Sequence, residues 1–170
     1  MLLRSVILVT LPLAIHCQPV RIVIDPNPVH MSPPLTVPAE VLRYPLSEHA
    51  RGMLQKALQL SDRGDHAAAA HQLLRTVAKF PDSAAYVYSL LGVEYLKTSQ
   101  FSAAVDVLGK SVLLLPHDAS NHANLGLALL SEGESDLARP ELRRALELDP
   151  HYTMANQLLT ALAVTPVRLH

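Results

Sequence analysis

The 170-residue chain has no Trp, a single Cys, only six Gly, and aromatic residues at 4%. One thiol excludes a disulfide framework within the chain and any multi-thiolate zinc site. Charge of one sign is lacking as well. A formal net charge of -1 leaves no electrostatic footprint for nucleic acid, which is not an expected partner. What is abundant is Leu at 32 and Ala at 21, within a hydrophobic share of 49%. These are strong helix formers, whereas sheets draw on β-branched and aromatic side chains, so the composition leans to an all-α fold. The 13 prolines oppose helix everywhere, and their placement divides the chain.

Residues 1–17 read MLLRSVILVTLPLAIHC, with Arg4 ahead of a ten-residue run from Val6 to Ile15 broken only by Thr10 and Pro12. That matches the apolar segment of a signal peptide and falls short of the about 20 residues of a membrane span. The protein is therefore expected to be secreted or periplasmic, within the cell envelope. Cleavage after Cys17 would leave a mature chain without cysteine, which suits an oxidising compartment. The alternative is a retained signal or a lipid on Cys17, although His16 stands where a lipoprotein signal has Gly, Ala or Ser. Membrane association is expected only under that alternative.

Seven prolines (19, 26, 28, 33, 34, 38 and 45) fall in residues 18–46, so this arm is expected to be extended or disordered rather than helical. Within it, the β-prone run Val20 to Ile24 could add a strand to a partner's sheet edge, but a spacer is the simpler reading.

Beyond residue 46 the punctuation is periodic. An offset of 34 superposes Leu91 on Leu125, Gly92 on Gly126, Ala104 on Ala138, Leu108 on Leu142 and Pro116 on Pro150. An upstream copy follows at an offset of 35, with Ala69, Leu73 and Pro81 answering Ala104, Leu108 and Pro116. The extra residue falls in the turn at Pro81, Asp82 and Ser83, where insertions are tolerated. Each copy divides into two helical stretches. Tyr88, Leu91, Tyr95 and Leu96 form one apolar stripe; a break at residues 97–100 precedes a second stripe of Ala104, Val105, Leu108 and Val112. The other copies break at Ser61-Asp62-Arg63-Gly64, where Asp65 can cap the next helix, and at Ser131-Glu132-Gly133. Pro140 is expected to sit within about a turn of its helix start, where backbone N–H groups lack partners anyway, so the helix can survive it. Small residues at 92, 126, 69, 104 and 138 would let two helices approach, with Leu73, Leu108 and Leu142 filling the space beside each crossing.

A 34-residue period with Leu-Gly, then Ala, Leu, Ala and a closing Pro resembles the tetratricopeptide repeat. Residues 125–150 fit best, with Leu125, Gly126, Ala138, Leu142, Ala145 and Pro150. The second copy has Tyr95 at the motif's Tyr and Ser111 for the second Ala; the first has Lys56-Ala57 for Leu-Gly and Thr76 for the second Ala. Met53, Tyr88 and His122 replace the motif's Trp. The resemblance implies an all-α, right-handed α-solenoid of three antiparallel helix pairs (about residues 50–83, 85–118 and 119–152) inside a 47–164 domain. A capping helix at about 152–164, with Met154, Leu158, Leu159 and Leu162 on one face, would cover the open end, leaving a tail at 165–170.

No motif announces catalysis. No Gly-x-Ser-x-Gly elbow or phosphate loop occurs, and His66/His71 and His117/His122 are each five apart, off a shared helix face. Arg139, Arg143 and Arg144 interleave with Glu134, Glu141 and Glu147 as a solvated face. No cofactor, metal or enzyme activity is expected. What the resemblance implies is a groove along the first helices that grips a peptide. It would comprise Arg51, Leu54 and Leu58; Tyr86, Ser89, Val93 and Lys97; and Ser120, Ala123, Leu127 and Ser131. The family's carboxylate clamp would use Lys, Asn and Arg where this chain has Leu54, Leu58, Leu90, Ser120 and Asn124, so a chaperone tail is not an expected partner. The expected function is a non-enzymatic protein-interaction module or scaffold. The alternative is a self-associating or structural part of an envelope assembly that uses the solenoid ends and the N-terminal arm.

Overall fold

The computed structural model describes residues 46–164. The expected signal segment, Val20 to Ile24, the rest of the proline-rich arm and the 165–170 tail lie outside the described residues. Seven α-helices follow one another among those residues: α1 (Glu48–Asp62), α2 (His66–Lys79), α3 (Ala84–Lys97), α4 (Phe101–Leu114), α5 (Ala119–Ser131), α6 (Ser135–Leu148) and α7 (Thr153–Val164). Each helix packs against the next, and first helices of successive pairs also touch, α3 against α5 and α5 against α7. Every pair is joined by a three-residue turn, so its two helices run antiparallel.

The turns inside the pairs share one geometry because they share one backbone constraint. In each, one residue takes a left-handed conformation: Gly64 (φ 80°), Ser99 (φ 57°) and Gly133 (φ 88°). The chain then closes the helix end with two bonds. Gly64 N donates to Ser61 O (2.8 Å) and Asp65 N to Leu60 O (3.0 Å). Ser99 N and Gln100 N repeat this onto Leu96 O and Tyr95 O, and Gly133 N and Glu134 N onto Leu130 O and Leu129 O. Glycine reaches this conformation without penalty, whereas Ser99 carries a Cβ into it. As the sequence predicts, Asp65 caps α2, accepting from Ala68 N at 3.1 Å.

Between pairs, α2, α4 and α6 stop at Lys79, Leu114 and Leu148, just ahead of Pro81, Pro116 and Pro150. The extra residue of the first copy is taken up in a 3-10 turn, Pro81–Ser83, where the Ser83 hydroxyl donates to Phe80 O at 2.6 Å. The helix survives Pro140 as expected, but for a different reason. Pro140 is the sixth residue of α6, and Ala138 N already donates to Glu134 O, so the free N–H groups end before it. The helix continues to Leu148 although position 140 offers no N–H to the carbonyl of Asp136; packing of the buried face of Ala138, Leu142 and Ala145 outweighs the lost bond.

The pairs are held by close crossings. A Cβ at Gly126 would lie 2.6 Å from Leu142 Cγ, and one at Gly92 would fall inside the Leu108 side chain. Leu73, Leu108 and Leu142 are all but inaccessible. The cores join the two helices of a pair and continue into the next pair. Leu54, Ala57 and Leu73 join Val87 and Leu91 of the next pair, and Ala104 and Leu108 join Leu125 and Leu129. Ala123, Leu127, Leu142 and Ala145 close under Ala155 and Leu158 of α7, which takes the place of a next first helix.

Two stability measurements check this account. Ser99→Gly is expected to raise unfolding stability in urea by about 1 kcal/mol, since it relieves the left-handed penalty. Gly92→Ala is expected to lower it by about 1–3 kcal/mol through overpacking against Leu108. Gly109→Ala, in α4 where a new Cβ meets nothing within 4 Å, is its control and should gain roughly 0.5–1 kcal/mol.

Candidate functional site

The predicted groove residues sit on α1, α3 and α5, and their exposures differ. Arg51 and Leu58 of α1 are exposed, and Tyr86, Ser89 and Val93 of α3 are half-buried. Leu54, Ala123 and Leu127 are buried, two of them sealed by α7. They are core residues that back the surface instead of forming it. Ser131 is turned to its own helix, its hydroxyl donating to Leu127 O at 2.9 Å. Ser120 hydrogen-bonds Tyr152, whose phenol is pushed above its ordinary range by burial, with the Asp118 and Asp149 carboxylates adding to the rise and the Ser120 bond opposing it. Burial likewise pushes the Tyr86 phenol up. Both phenols therefore stay protonated at neutral pH.

Two polar features escaped the sequence reading. Glu94 is buried at 5% exposure, and three groups meet its carboxylate. Ser61 Oγ at the end of α1 donates at 2.7 Å, His66 Nδ1 at the start of α2 lies at 2.8 Å, and Lys97 Nζ lies at 3.4 Å. Lys97 also donates to Ser61 Oγ at 2.9 Å, so this predicted groove residue is tethered to the first pair. A signal was present: Glu94 is the one acidic residue in α3. The second feature is Asn121, buried where the previous pair has Val87. Its Oδ1 accepts from Ser89 Oγ at 2.6 Å, whereas its Nδ2 has no partner. Ser89 is thus also tied across a pair boundary, by a bond that joins α3 to α5.

Of the predicted set, Arg51 and Leu58 are exposed and Tyr86, Ser89, Val93, Ser120 and Ser131 are half-buried, with Lys97 held by its bonds to Ser61 and Glu94. Among the described residues no group of three or more His, Cys, Asp or Glu could hold a metal ion, and no helix is long and apolar enough to cross a membrane. Glu94→Ala should cost about 2 kcal/mol in urea unfolding, because it removes a charged acceptor from three donors, two of which remain partly solvated.

Comparison with known proteins agrees with this geometry. A family model described as tetratricopeptide repeat matches residues 54–95 and 89–153. The anaphase-promoting complex subunit cut9 of Schizosaccharomyces pombe is 33% identical over 75 residues, which span 44% of this chain and 11% of that protein. Among solved structures, the first repeat domain of Spaghetti (RPAP3) bound to an HSP90 peptide superposes with a TM-score of 0.64 at 18% identity, covering 71% of this chain and 98% of that one. An O-GlcNAc transferase mutant of Thermobaculum terrenum superposes with a TM-score of 0.63 at 29% identity, over 69% of this chain and 23% of that one. With the family matches running from residue 54 to residue 153, the chain belongs to the tetratricopeptide-repeat family.

Proposed function

We propose that the protein is a non-enzymatic interaction module that holds a peptide or protein segment along the first helices of its repeats. The observation that carries this reading is the accessible strip centred on Tyr86 and Val93, apolar at its middle and flanked by Arg51 and Lys97. An extended or helical segment with apolar side chains suits such a strip, because aromatic and branched anchors supply most of the binding energy at an interface. The RPAP3 domain with the same fold is seen with a bound peptide, which supports the general mode. The carboxylate-clamp variant of that mode is not proposed: Leu54 and Leu58 replace its polar residues, and Ser120 and Asn124 supply no cation. Leu54, Ala123 and Leu127 serve as the rigid backing of the strip.

The proposed setting is the secretory or cell-envelope compartment, supported by the charged, apolar start of residues 1–17. A scaffold exported in this way needs no disulfide, since its stability comes from stacked helix pairs.

The test is affinity purification of the tagged chain from its native host, with mass spectrometry of the bound proteins. Tyr86→Asp combined with Val93→Asp should cut recovery of the partner by roughly tenfold or more, the loss expected for central anchors, while far-UV circular dichroism keeps its helical signal. Undiminished recovery with the double variant would rule out this surface.

A further inference from the structure

The three helix pairs differ in how they fill one position. In the second pair Tyr88 lies beneath the Lys110 ammonium, 5.5 Å from the ring centre. In the third, His122 Nδ1 is 2.7 Å from Glu141, and Nε2 is 3.1 Å from Pro116 O. The corresponding residue of the first pair is Met53, which has neither ring nor polar partner. Its surroundings are open: a groove of about 540 Å³ lies across α1 and α2, lined by Met53, Lys56, Gln72, Arg75, Ala78 and Lys79. That volume lies within the range of ligand sites, about 300–1,000 Å³.

The lining holds three cations and no carboxylate. Among the described residues, the side chains of Lys56 and Arg75 have no ion-pair or hydrogen-bond partner, and Lys79 rests on the Phe80 ring at 5.5 Å. Gln72 also lines the groove, and although the residue is only 8% exposed, its side-chain amide reaches the solvent there. The exposed surface beside the groove is also unsuited to another helix pair. Lys56 occupies the position of Leu91 and Leu125, which are buried against the preceding pair, and Gly52 occupies that of Val87 and Asn121.

We infer that this groove binds an acidic peptide segment of a partner protein. Carboxylates pair with Arg75, Lys56 and Lys79, the Gln72 amide bonds a peptide group, and Met53 takes an apolar side chain. Arg presents a planar fork matched to a carboxylate, which gives the pairing direction as well as charge. Nucleic acid is the weaker candidate, since the groove offers no aromatic face for base stacking and the chain no net positive charge. The groove is separate from the Tyr86 and Val93 strip and does not depend on it.

The experiment is fluorescence anisotropy on the full chain at about 50 mM salt, where charge pairs are weakly screened. The probes are a short labelled peptide of alternating Glu and Leu, the same peptide with Gln for Glu, and a labelled single-stranded DNA of thymidines. The Glu peptide should bind at least about tenfold tighter than the Gln peptide, a difference of about 1.4 kcal/mol. Arg75→Glu with Lys79→Glu should erase that advantage. Met53→Trp, which fills the groove with the bulk that the other pairs carry, should weaken the Glu peptide similarly with helicity unchanged; Tyr86→Asp with Val93→Asp should leave it bound. Equal affinity for the two peptides, unchanged binding by the double charge reversal, or tighter binding of the DNA would overturn the inference.

Discussion

The solenoid depends on how closely two helices approach where they cross within a pair. At Gly92 and Gly126 the approach leaves no room for a Cβ beside Leu108 and Leu142, and in the first pair Ala57 shares a core with Leu73. That contact sets the distance between the helices, and the distance sets which side chains face the next pair. Because interiors are close-packed, an error of one methyl group at the crossing would propagate into the stack. Val87 and Leu91 can then close over Leu54 and Leu73, and Leu125 over Leu108, so that each pair supplies the missing wall of its neighbour.

Such stacking leaves two ends with different chemistry. At the C-terminal end α7 seals Ala123 and Leu127, so residues that would face a groove in an open array become core. At the N-terminal end Lys56 and Gly52 stand where later pairs bury apolar or amide side chains, and Met53 leaves space where they place a ring. Ends of a repeat array must meet water or a partner, and charge at the first pair satisfies the first condition while inviting the second. Glu94 works at the join between these regions, binding the α1–α2 turn to α3 through Ser61, His66 and Lys97.

Legibility from sequence followed the range of each interaction. The helix pairs, the prolines that stop them, the cap at Asp65 and the final helix were all readable, because each rests on residues a few positions apart or on a period that recurs. The groove assignment was read only in part. Family positions identify which residues sit on the first helices, but Leu54, Ala123 and Leu127 are buried where Tyr86 and Val93 are half-buried, for reasons of packing. That α6 would survive Pro140 was readable, but the reason was not, because whether a helix tolerates a missing N–H beyond its first turn depends on how firmly its buried face is held.

The sequence by itself determined the secondary structure, the register of the repeats and the places where helices must approach closely, since these follow from periodicity and side-chain size along one chain. Only the tertiary structure decided which surfaces stay open. The sealing of Ala123 and Leu127, the burial of Glu94 among three donors and the vacancy beside Met53 each arise from residues far apart in sequence. Accessibility belongs to the packed assembly of helices, and no local pattern encodes it.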